Sequence, residues 1–338
     1  MKSAVIITVY KRYKYIDEAL NSVLSQTVKP DQIIIVADNP KMLNNSINAT
    51  VIEADYPQLG KKIFEAIKAL RDDIDIVYFL EDDDMFHKNK IEYINKIFEK
   101  RRDIVTVHNS RKLVDENGID LNYELDKIPF EIEIRKDNIV QIIRENYILL
   151  SNNSSLSIRK DTLKKIKNYI AQIDISVDLV IIYFSLVFGK LLHIPEKLTY
   201  FRVGSGSSTI GNTHSSDEYN ERKGKIVCTF NRTVNDLLKI YSMLPDCESC
   251  KKIIKRDLLY LYLYLSAENN FVNCDYKVKV PSLVRIFVLT LDYYLKNIIS
   301  TKDLYNVTKG VLAQLILGKK KVSEMRSKKG YMRSKKGY

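Results

Sequence analysis

Four consecutive carboxylates, Glu81 to Asp84, directly follow the apolar run Val77–Leu80. Adjacent like charges repel one another and favour exposure to water, whereas an apolar run of this kind favours a buried strand. The two segments therefore favour opposite environments. A hard divalent cation such as Mg²⁺ or Mn²⁺ would remove the conflict, because it binds oxygen ligands and keeps coordination positions for phosphate oxygens. The alternative is a solvated acidic loop in which Asp84 caps the following helix. Spacing alone leaves both interpretations open.

Polar side chains also end two other predicted strands. Thr8 and Tyr10 end the first strand, and Asp38 ends the second. In a parallel α/β sheet, ligands bind beyond the carboxyl ends of the strands. We therefore expect Thr8, Tyr10, Asp38 and the acidic run to meet at one rim of a sheet. Three strand ends that converge on one rim indicate a binding site more specifically than any one of them does alone.

The elements that must position these groups alternate between strands and helices over residues 1–110. Apolar residues recur at helical spacing between the strands, as in YIDEALNSVLSQ. Near-continuous Ile and Val runs separated by helices are typical of an α/β fold, with a mostly parallel twisted sheet covered by helices on both faces. The predicted strands are AVIITVY, QIIIVAD, ATVIEA, DIVYFL and DIVTVHN.

The pattern changes after residue 110. An Asn-Gly turn between alternating segments predicts a β-hairpin, and a strand, an apolar helix and a further strand lead to the glycine/serine loop GSGSST. Beyond that loop the sequence predicts only helices. We therefore expect an α/β domain at 1–212, with a change of pattern at residue 110, and a helical C-terminal region at 213–317.

Most of the net charge of +12 lies at the C-terminus. Residues 318–338 contain nine Lys and Arg residues against one Glu and repeat MRSKKGY in tandem. A basic segment without an apolar period predicts a disordered tail at 318–338. Near an anionic leaflet each Lys or Arg contributes about 1 kcal/mol, so residues 319–336 would favour a membrane surface. Apolar stripes at 283–295 and 311–316 either pack on the catalytic domain or lie in the membrane interface.

No uncharged apolar run approaches the roughly 18 residues of a membrane span, and Lys11-Arg12 stands where a signal peptide would have its cleavage site. We expect a cytoplasmic protein, with peripheral attachment to the inner face of the cell membrane as a further expectation. The four cysteines predict no disulfide scaffold in a chain this long. Cys247 and Cys250 have zinc-type spacing but lack a second ligand pair, which favours thiols or a local disulfide over zinc.

Three segments resemble family 2 nucleotide-sugar glycosyltransferases, which have the GT-A fold. SAVIITVYKRYKYIDEALNSVLSQTVKPDQIIIVADN resembles their N-terminal nucleotide-binding segment, and VYFLEDDDMFHKNKIEYI resembles their acidic DXD-type motif. DLVIIYFSLVFGKLLHIPEKLTYFRVGSGSST resembles the region that follows their catalytic acid. The similarity covers roughly residues 1–210. It implies that 1–212 is a catalytic domain, with a nucleotide-binding half at 1–110 and an acceptor half at 111–212.

The resemblance implies roles for individual positions. Thr8 and Tyr10 would contact the nucleoside, and Asp38 would accept a hydrogen bond from the base of a UDP-, dTDP- or GDP-linked sugar. Asp83 would be the direct ligand of Mg²⁺ or Mn²⁺, with Glu81 as a second acid. The full set of implied nucleotide-binding residues is Thr8, Tyr10, Arg12, Asp38, Lys61 and Asp82.

The chemistry that the resemblance implies is a displacement at the anomeric carbon with inversion. A carboxylate takes the proton of the acceptor hydroxyl, and the metal carries the charge that builds on the departing diphosphate. Counted back from Ile194-Pro195-Glu196, Asp178 fits the catalytic base best and Asp174 is second. Arg202 matches a common arginine of the acceptor or donor region. The expected acceptor is a glycan or a lipid-linked glycan.

Two other functions are weaker alternatives. A nucleotidyltransferase of similar architecture should show a glycine-rich basic loop after the first strand, and VYKRYKY has no glycine. A nucleic-acid-binding protein would use the basic tail, but the tail has only two tyrosines and the acidic rim would repel phosphate. We expect an inverting, metal-dependent glycosyltransferase with no nucleic-acid partner.

Overall fold

The computed structural model describes residues 1–43, 48–123, 128–146, 151–206, 213 and 215–334. The chain divides into two compact units, one formed by residues 1–202 with 243–247 and the other by 203–242 with 248–338. The boundary predicted near residue 212, and the end of the glycine/serine loop before it, lie outside the described residues.

The first unit consists of alternating strands and helices. Its described elements up to residue 114 are β1 (Ser3–Val9), α1 (Ile16–Leu24), β2 (Gln32–Ala37), β3 (Thr50–Glu53), α2 (Leu59–Lys68), β4 (Ile76–Glu81), β5 (Met85–Phe86), α3 (Lys90–Lys100) and β6 (Ile104–Val114). The elements that follow are β7 (Ile132–Ile134), α4 (Ile139–Asn146), β8 (Leu156–Arg159), α5 (Lys160–Ile170), α6 (Val177–Phe188) and β9 (Lys190–Arg202).

The nine strands of the described residues form one sheet in the order β3-β2-β1-β4-β8-β6-β9-β5, with β7 paired to β9. β3, β2, β1 and β4 run parallel to one another. β8 is antiparallel to both of its neighbours, β4 and β6, and β6 and β9 are again parallel. The predicted α/β fold with a mostly parallel sheet is confirmed.

Burial explains the near-continuous apolar character of the central strands. All seven residues of β1 and all six of β2 are buried, as expected where a parallel sheet is covered on both faces. The helically spaced residues Ile16, Leu20 and Val23 of α1 belong to the same apolar cluster as Val5 and Ile7. Because β3, β2, β1 and β4 are parallel, their carboxyl ends lie at a common rim of the sheet. The polar residues that follow these strands in the sequence are expected at this rim.

Strand β6 runs further than the sequence suggested. It includes residues 111–114, which were expected to belong to a hairpin, and pairs with β9 along this extension. The predicted turn is present, because Val114 bridges Asp120 and Gly118 has a φ of 80°, a conformation that glycine adopts without steric cost. Residues 124–125 of the predicted hairpin lie outside the described residues.

The second unit is helical. Its elements are α7 (Ser216–Met243, whose last residue lies in the first unit), α8 (Glu248–Glu268), α9 (Leu283–Leu295), α10 (Thr301–Leu317) and α11 (Lys319–Ser334). Leu259, Ile286 and Val311 belong to one apolar cluster that joins α8, α9 and α10. The helical C-terminal region predicted from the sequence is confirmed. No helix within the described ranges is both long enough and apolar enough to span a bilayer.

The predicted disorder of 318–338 was wrong for residues 319–334, which form α11. The helix is held by contacts that local sequence does not reveal. Val322 is buried, and the Ser323 hydroxyl donates to a Glu268 carboxylate oxygen at 2.6 Å. Lys223 Nζ lies 2.8 Å from the same carboxylate. These contacts stabilise a helix whose sequence alone predicts a solvated tail. Residues 335–338 lie outside the described residues.

All four cysteines are oxidised in the structure. Cys228 and Cys274 form a disulfide, and Cys247 and Cys250 are also disulfide-bonded. Of the alternatives left open for Cys247 and Cys250, the structure therefore contains the disulfide. The sequence did not predict the pairing of Cys228 with Cys274, because nothing in their spacing of 46 residues indicates that the fold brings one close to the other.

Candidate active site

The acidic run begins at the last residue of β4 and ends before β5; its three aspartates are buried and Glu81 is half-buried. Asp82 and Asp83 are 5% and 6% exposed, and Asp84 is 1% exposed. The alternative of a solvated acidic loop is therefore wrong. Asp84 also does not cap the following helix, since Asn89 stands at the N-cap of α3. A buried carboxylate is stable only with hydrogen-bond donors or a cation beside it, so the surroundings of this loop decide its function.

Three of the four acids form a compact cluster. One carboxylate oxygen from each of Glu81, Asp83 and Asp84 lies within 4.8 Å of the other two. Burial and the neighbouring acids raise the pKa of Glu81 to about 8 and that of Asp84 to about 7. The cluster therefore has more negative charge than its surroundings compensate, and its oxygen donors fit Mg²⁺ or Mn²⁺. The resemblance implied Glu81 and Asp83 as ligands, and Asp84 is a third acid of the cluster that it did not name.

Arg12 lies against the other side of the acidic run. Its guanidinium forms a salt bridge with Asp82 and a second one with Asp83 at 2.9 Å. Burial raises the pKa of Asp82 to about 6 in spite of the Arg12 contact, which acts in the opposite direction. The structure thus brings the predicted residues Arg12, Asp82 and Asp83 together.

Asp38 faces the loop that follows β1. Its carboxylate accepts hydrogen bonds from the Lys11 backbone N–H and the Tyr13 hydroxyl, both at 2.9 Å. Burial alone would raise the pKa of Asp38, but these hydrogen bonds lower it below the ordinary value. Asp38 is therefore kept ionised. Thr8 is buried at the end of β1, in register with Glu81 of β4.

Of the two lysines at the start of α2, Lys62 rather than Lys61 is at the rim. Lys62 is 3% exposed, and its Nζ lies 3.9 Å from the centroid of the Tyr10 ring. Lys61 is exposed and lies near the ring of Tyr56 instead. The sequence shows two adjacent lysines at the start of this helix, and the prediction named Lys61. Only the rotation of the helix decides which of the two side chains lies at the rim.

The segment 152–155 supports the acidic cluster from a distant part of the chain. Asn152 Nδ2 donates to Asp84 at 2.9 Å, and Asn153 Nδ2 donates to Glu81 at 2.8 Å. The buried Lys90 donates to the Ser154 carbonyl. These residues were missed by the sequence reasoning. The only available signal was the run of two asparagines before a predicted strand.

Asp178, the first candidate for the base, is connected to this segment. Its carboxylate accepts from the Asn152 backbone N–H at 2.9 Å, and burial raises its pKa. It stands in the first turn of α6. Asp174, the second candidate, precedes the helix, and its carbonyl accepts from the Leu59 N–H of α2 at 2.7 Å. The geometry therefore links Asp178 to the acidic cluster through Asn152.

Arg202 is buried beneath the acidic run. Its backbone N–H donates to Asp84 at 3.0 Å, and its Nε donates to the Asp83 carbonyl at 3.0 Å. The guanidinium also forms a salt bridge with Glu18 at 2.6 Å and lies over the ring of Tyr15. Arg202 thus fixes the position of the acidic loop.

Comparison with known proteins gives the family and the fold. Residues 4–167 match the family model described as glycosyl transferase family 2. The chain carries a glycosyl transferase family 2 domain. An uncharacterized glycosyltransferase of Nostoc sp. is 25% identical over 254 residues, which cover 70% of this chain and 76% of that protein. One of Rickettsia conorii is 30% identical over 159 residues, which cover 44% of this chain and 24% of that protein. The predicted family and the predicted enzyme class, a glycosyltransferase, are confirmed.

Two solved structures share the fold of this chain. S. aureus TarS 1–349, in complex with UDP, has a TM-score of 0.55 at 19% identity and covers 98% of this chain and 92% of that one. The mannosyltransferase PcManGT from Pyrobaculum calidifontis, in complex with GDP-Man and Mn²⁺, has a TM-score of 0.54 at 10% identity, with 99% and 85% covered. At these identities the likeness shows the fold, which is GT-A.

Proposed function

We propose that this chain transfers a sugar, with inversion, from a nucleotide sugar to an acceptor hydroxyl, in a metal-dependent reaction. One observation supports this most directly. The carboxylates of half-buried Glu81 and of buried Asp83 and Asp84 converge within 4.8 Å, and Asn152 joins Asp84 to Asp178. A site for a cation and a candidate base thus belong to one hydrogen-bonded network.

The donor would bind at the rim formed by β1, β2 and β4. Asp38, held ionised, would accept from the base, with Thr8 and Tyr10 against the nucleoside and Asp82 near the ribose or diphosphate. The complexes of TarS with UDP and UDP-GlcNAc, and of PcManGT with GDP-Man, support a nucleotide diphosphate sugar as donor. The candidates remain UDP-, dTDP- and GDP-linked sugars.

Glu81, Asp83 and Asp84 would hold Mg²⁺ or Mn²⁺, and the presence of Mn²⁺ in the PcManGT complex supports this. When bound, the ion supplies positive charge against the charge that develops on the departing diphosphate. Asn153 and Asn152 orient two of the ligating carboxylates, and Arg202 fixes the main chain between them.

Asp178 would act as the base. Its carboxylate takes the proton of the acceptor O–H, the acceptor oxygen bonds to the anomeric carbon, and the bond from that carbon to the diphosphate breaks. Burial makes Asp178 a stronger proton acceptor by raising its pKa, which suits this role. The hydrogen bond from the Asn152 N–H holds the carboxylate in place. Asp174 remains the second candidate.

We also propose a peripheral position on an anionic membrane, at the inner face, with a glycan or lipid-linked glycan as acceptor. The α9 helix buries Leu283 and Ile286, yet Val284, Val288 and Leu295 are 66%, 56% and 79% exposed. Exposed apolar side chains and a basic segment in one helical unit are typical of interfacial binding. The basic segment 319–336, most of which forms α11, would supply the electrostatic attraction.

The test is a donor-hydrolysis panel of nucleotide sugars, with Mn²⁺ or with EDTA, on the unmodified protein and two variants. Asp83→Ala should abolish stimulation by Mn²⁺. Asp178→Asn should lower transfer to an acceptor by at least about a hundredfold, the usual contribution of general base catalysis, while donor binding stays unchanged. Turnover that is independent of metal, and equal in Asp83→Ala, would show that the metal assignment is wrong.

A further inference from the structure

A groove of about 660 Å³ lies in the helical unit, between α7, α8, the segment 279–282 and α9. Its volume is that of a typical site for a small organic ligand. Leucines from three helices form its apolar wall: Leu238 of α7, Leu258 and Leu259 of α8, and Leu289 of α9. The groove therefore offers an apolar surface that could hold an alkyl chain.

The polar lining of the groove consists of three cations, three phenols and the hydroxyl residue Ser282. Lys255, Lys279 and Arg285 line it together with three tyrosines, and no acidic side chain does. None of these three cations forms a salt bridge with a carboxylate of the described residues. Positive charge without a local counter-ion attracts an anion, and an Arg guanidinium presents paired donors that match a phosphate.

We propose that this groove binds an amphiphilic anion, an alkyl chain that carries a phosphate group. The chain lies against Leu258, Leu259 and Leu289, and the phosphate is held by Lys279 and Arg285. A phosphorylated lipid has this chemistry, whereas a free phosphate would leave the apolar wall uncovered. The inference uses no residue of the sugar-transfer site, so the two proposals succeed or fail separately.

The absence of tryptophan from the chain makes a direct test possible. Tyr293→Trp exchanges one aromatic ring of the groove for another and introduces a single indole. The variant is titrated with dodecyl phosphate, with dodecyl maltoside and with inorganic phosphate, each detergent below its micelle concentration. We expect a saturable blue shift with dodecyl phosphate, binding at least about tenfold weaker for the maltoside, and no shift with inorganic phosphate.

Charge removal then separates the anion site from the apolar wall. In the Tyr293→Trp background, Lys279→Ala with Arg285→Ala should weaken dodecyl phosphate binding by about tenfold or more and leave the maltoside unaffected. Lys252→Ala with Lys309→Ala removes the same charge outside the groove and should change neither. Circular dichroism checks that each variant is folded, and calorimetry on the unmodified chain repeats the comparison without a reporter.

Three results would overturn the proposal. Equal affinity for the two detergents would show an apolar groove that does not recognise anions. Unchanged dodecyl phosphate binding in the Lys279/Arg285 double variant would place the anion elsewhere. A full response to inorganic phosphate alone would show an anion site without a lipid. Donor hydrolysis, measured separately, reports on the transfer site and is expected to be unaffected by either double variant.

Discussion

The buried acids of the site depend on individual donors placed around them. Glu81 and Asp84 each accept from an asparagine amide, while Asp82 and Asp83 share Arg12. A buried carboxylate that lost its donor would have to take up a proton or attract a cation. Single substitutions around these acids should therefore change the kinetics with the nucleotide sugar or the free energy of unfolding.

Lys62→Ala tests which of the two adjacent lysines serves the donor site. We expect kcat/KM for the nucleotide sugar to fall by about tenfold, mainly through KM, since a buried cation against an aromatic ring contributes about 1–2 kcal/mol. Steady-state kinetics measures the effect. Lys61→Ala is the matched control and should stay close to the unmodified protein. An equal loss in both variants would contradict the assignment.

Asn152 combines a side-chain donor with a φ of 80°. Asn152→Gly removes the amide and keeps the backbone conformation, whereas Asn152→Ala also forces a left-handed conformation on alanine. We expect the free energy of unfolding to fall by about 1–3 kcal/mol in the glycine variant, for the lost hydrogen bond to a buried acid. The alanine variant should lose about 1 kcal/mol more. Urea unfolding compares the two, and equal losses would mean that the backbone conformation costs nothing.

At the scale of elements, α9 and α10 have two apolar faces with different surroundings. One face of each packs in the core of the helical unit. The other leaves Leu295 and Ile316 79% and 77% exposed. Soluble proteins tolerate isolated exposed apolar residues, but repeated ones on neighbouring helices mark an interaction surface.

Leu295→Ser with Ile316→Ser tests the proposed membrane surface. We expect binding to vesicles of phosphatidylcholine with phosphatidylglycerol to fall by about tenfold, because each substitution removes apolar area that would enter the interface. Sedimentation with vesicles measures the bound fraction. Ile119→Ser, at a position 64% exposed in the first unit, is the control and should bind normally. Loss of a dimer in light scattering, with vesicle binding unchanged, would assign the surface to self-association instead.

At the scale of the whole molecule, the acidic cluster couples folding to protons and to metal. Folding raises the pKa of Glu81 from 4.5 to about 8 and that of Asp84 from 3.8 to about 7. A carboxyl group with a raised pKa stabilises the fold below its unfolded pKa, and this stabilisation is lost as pH rises through the folded pKa. The metal-free protein should therefore lose stability between about pH 4 and pH 8.

We expect Tm in EDTA to fall over that range, and Mn²⁺ to raise Tm more at about pH 8 than at pH 6, because protons and metal compete for the same oxygens. Differential scanning fluorimetry measures both trends. Glu81→Gln with Asp84→Asn should flatten the pH dependence and abolish the response to Mn²⁺. A Mn²⁺ shift of the same size at both pH values would show that the ion binds elsewhere.

The sequence by itself determined the sheet and the identity of most groups at its rim. Continuous Ile and Val runs require burial on both faces, and parallel strands deliver their carboxyl ends to one edge. Thr8, Asp38 and the acidic run were therefore predictable as neighbours of the same rim. The resemblance to a known family then supplied roles that no period or spacing contains.

Only the tertiary structure decided which side chains complete the site and which segments are ordered. Asn152 reaches Asp84 from 68 residues away, and Lys62 differs from Lys61 only in the direction in which α2 presents it. Helix α11 is ordered through Ser323 and Glu268, although its own sequence favours solvent. Such contacts depend on distances between segments remote along the chain, and local composition carries no information about those distances.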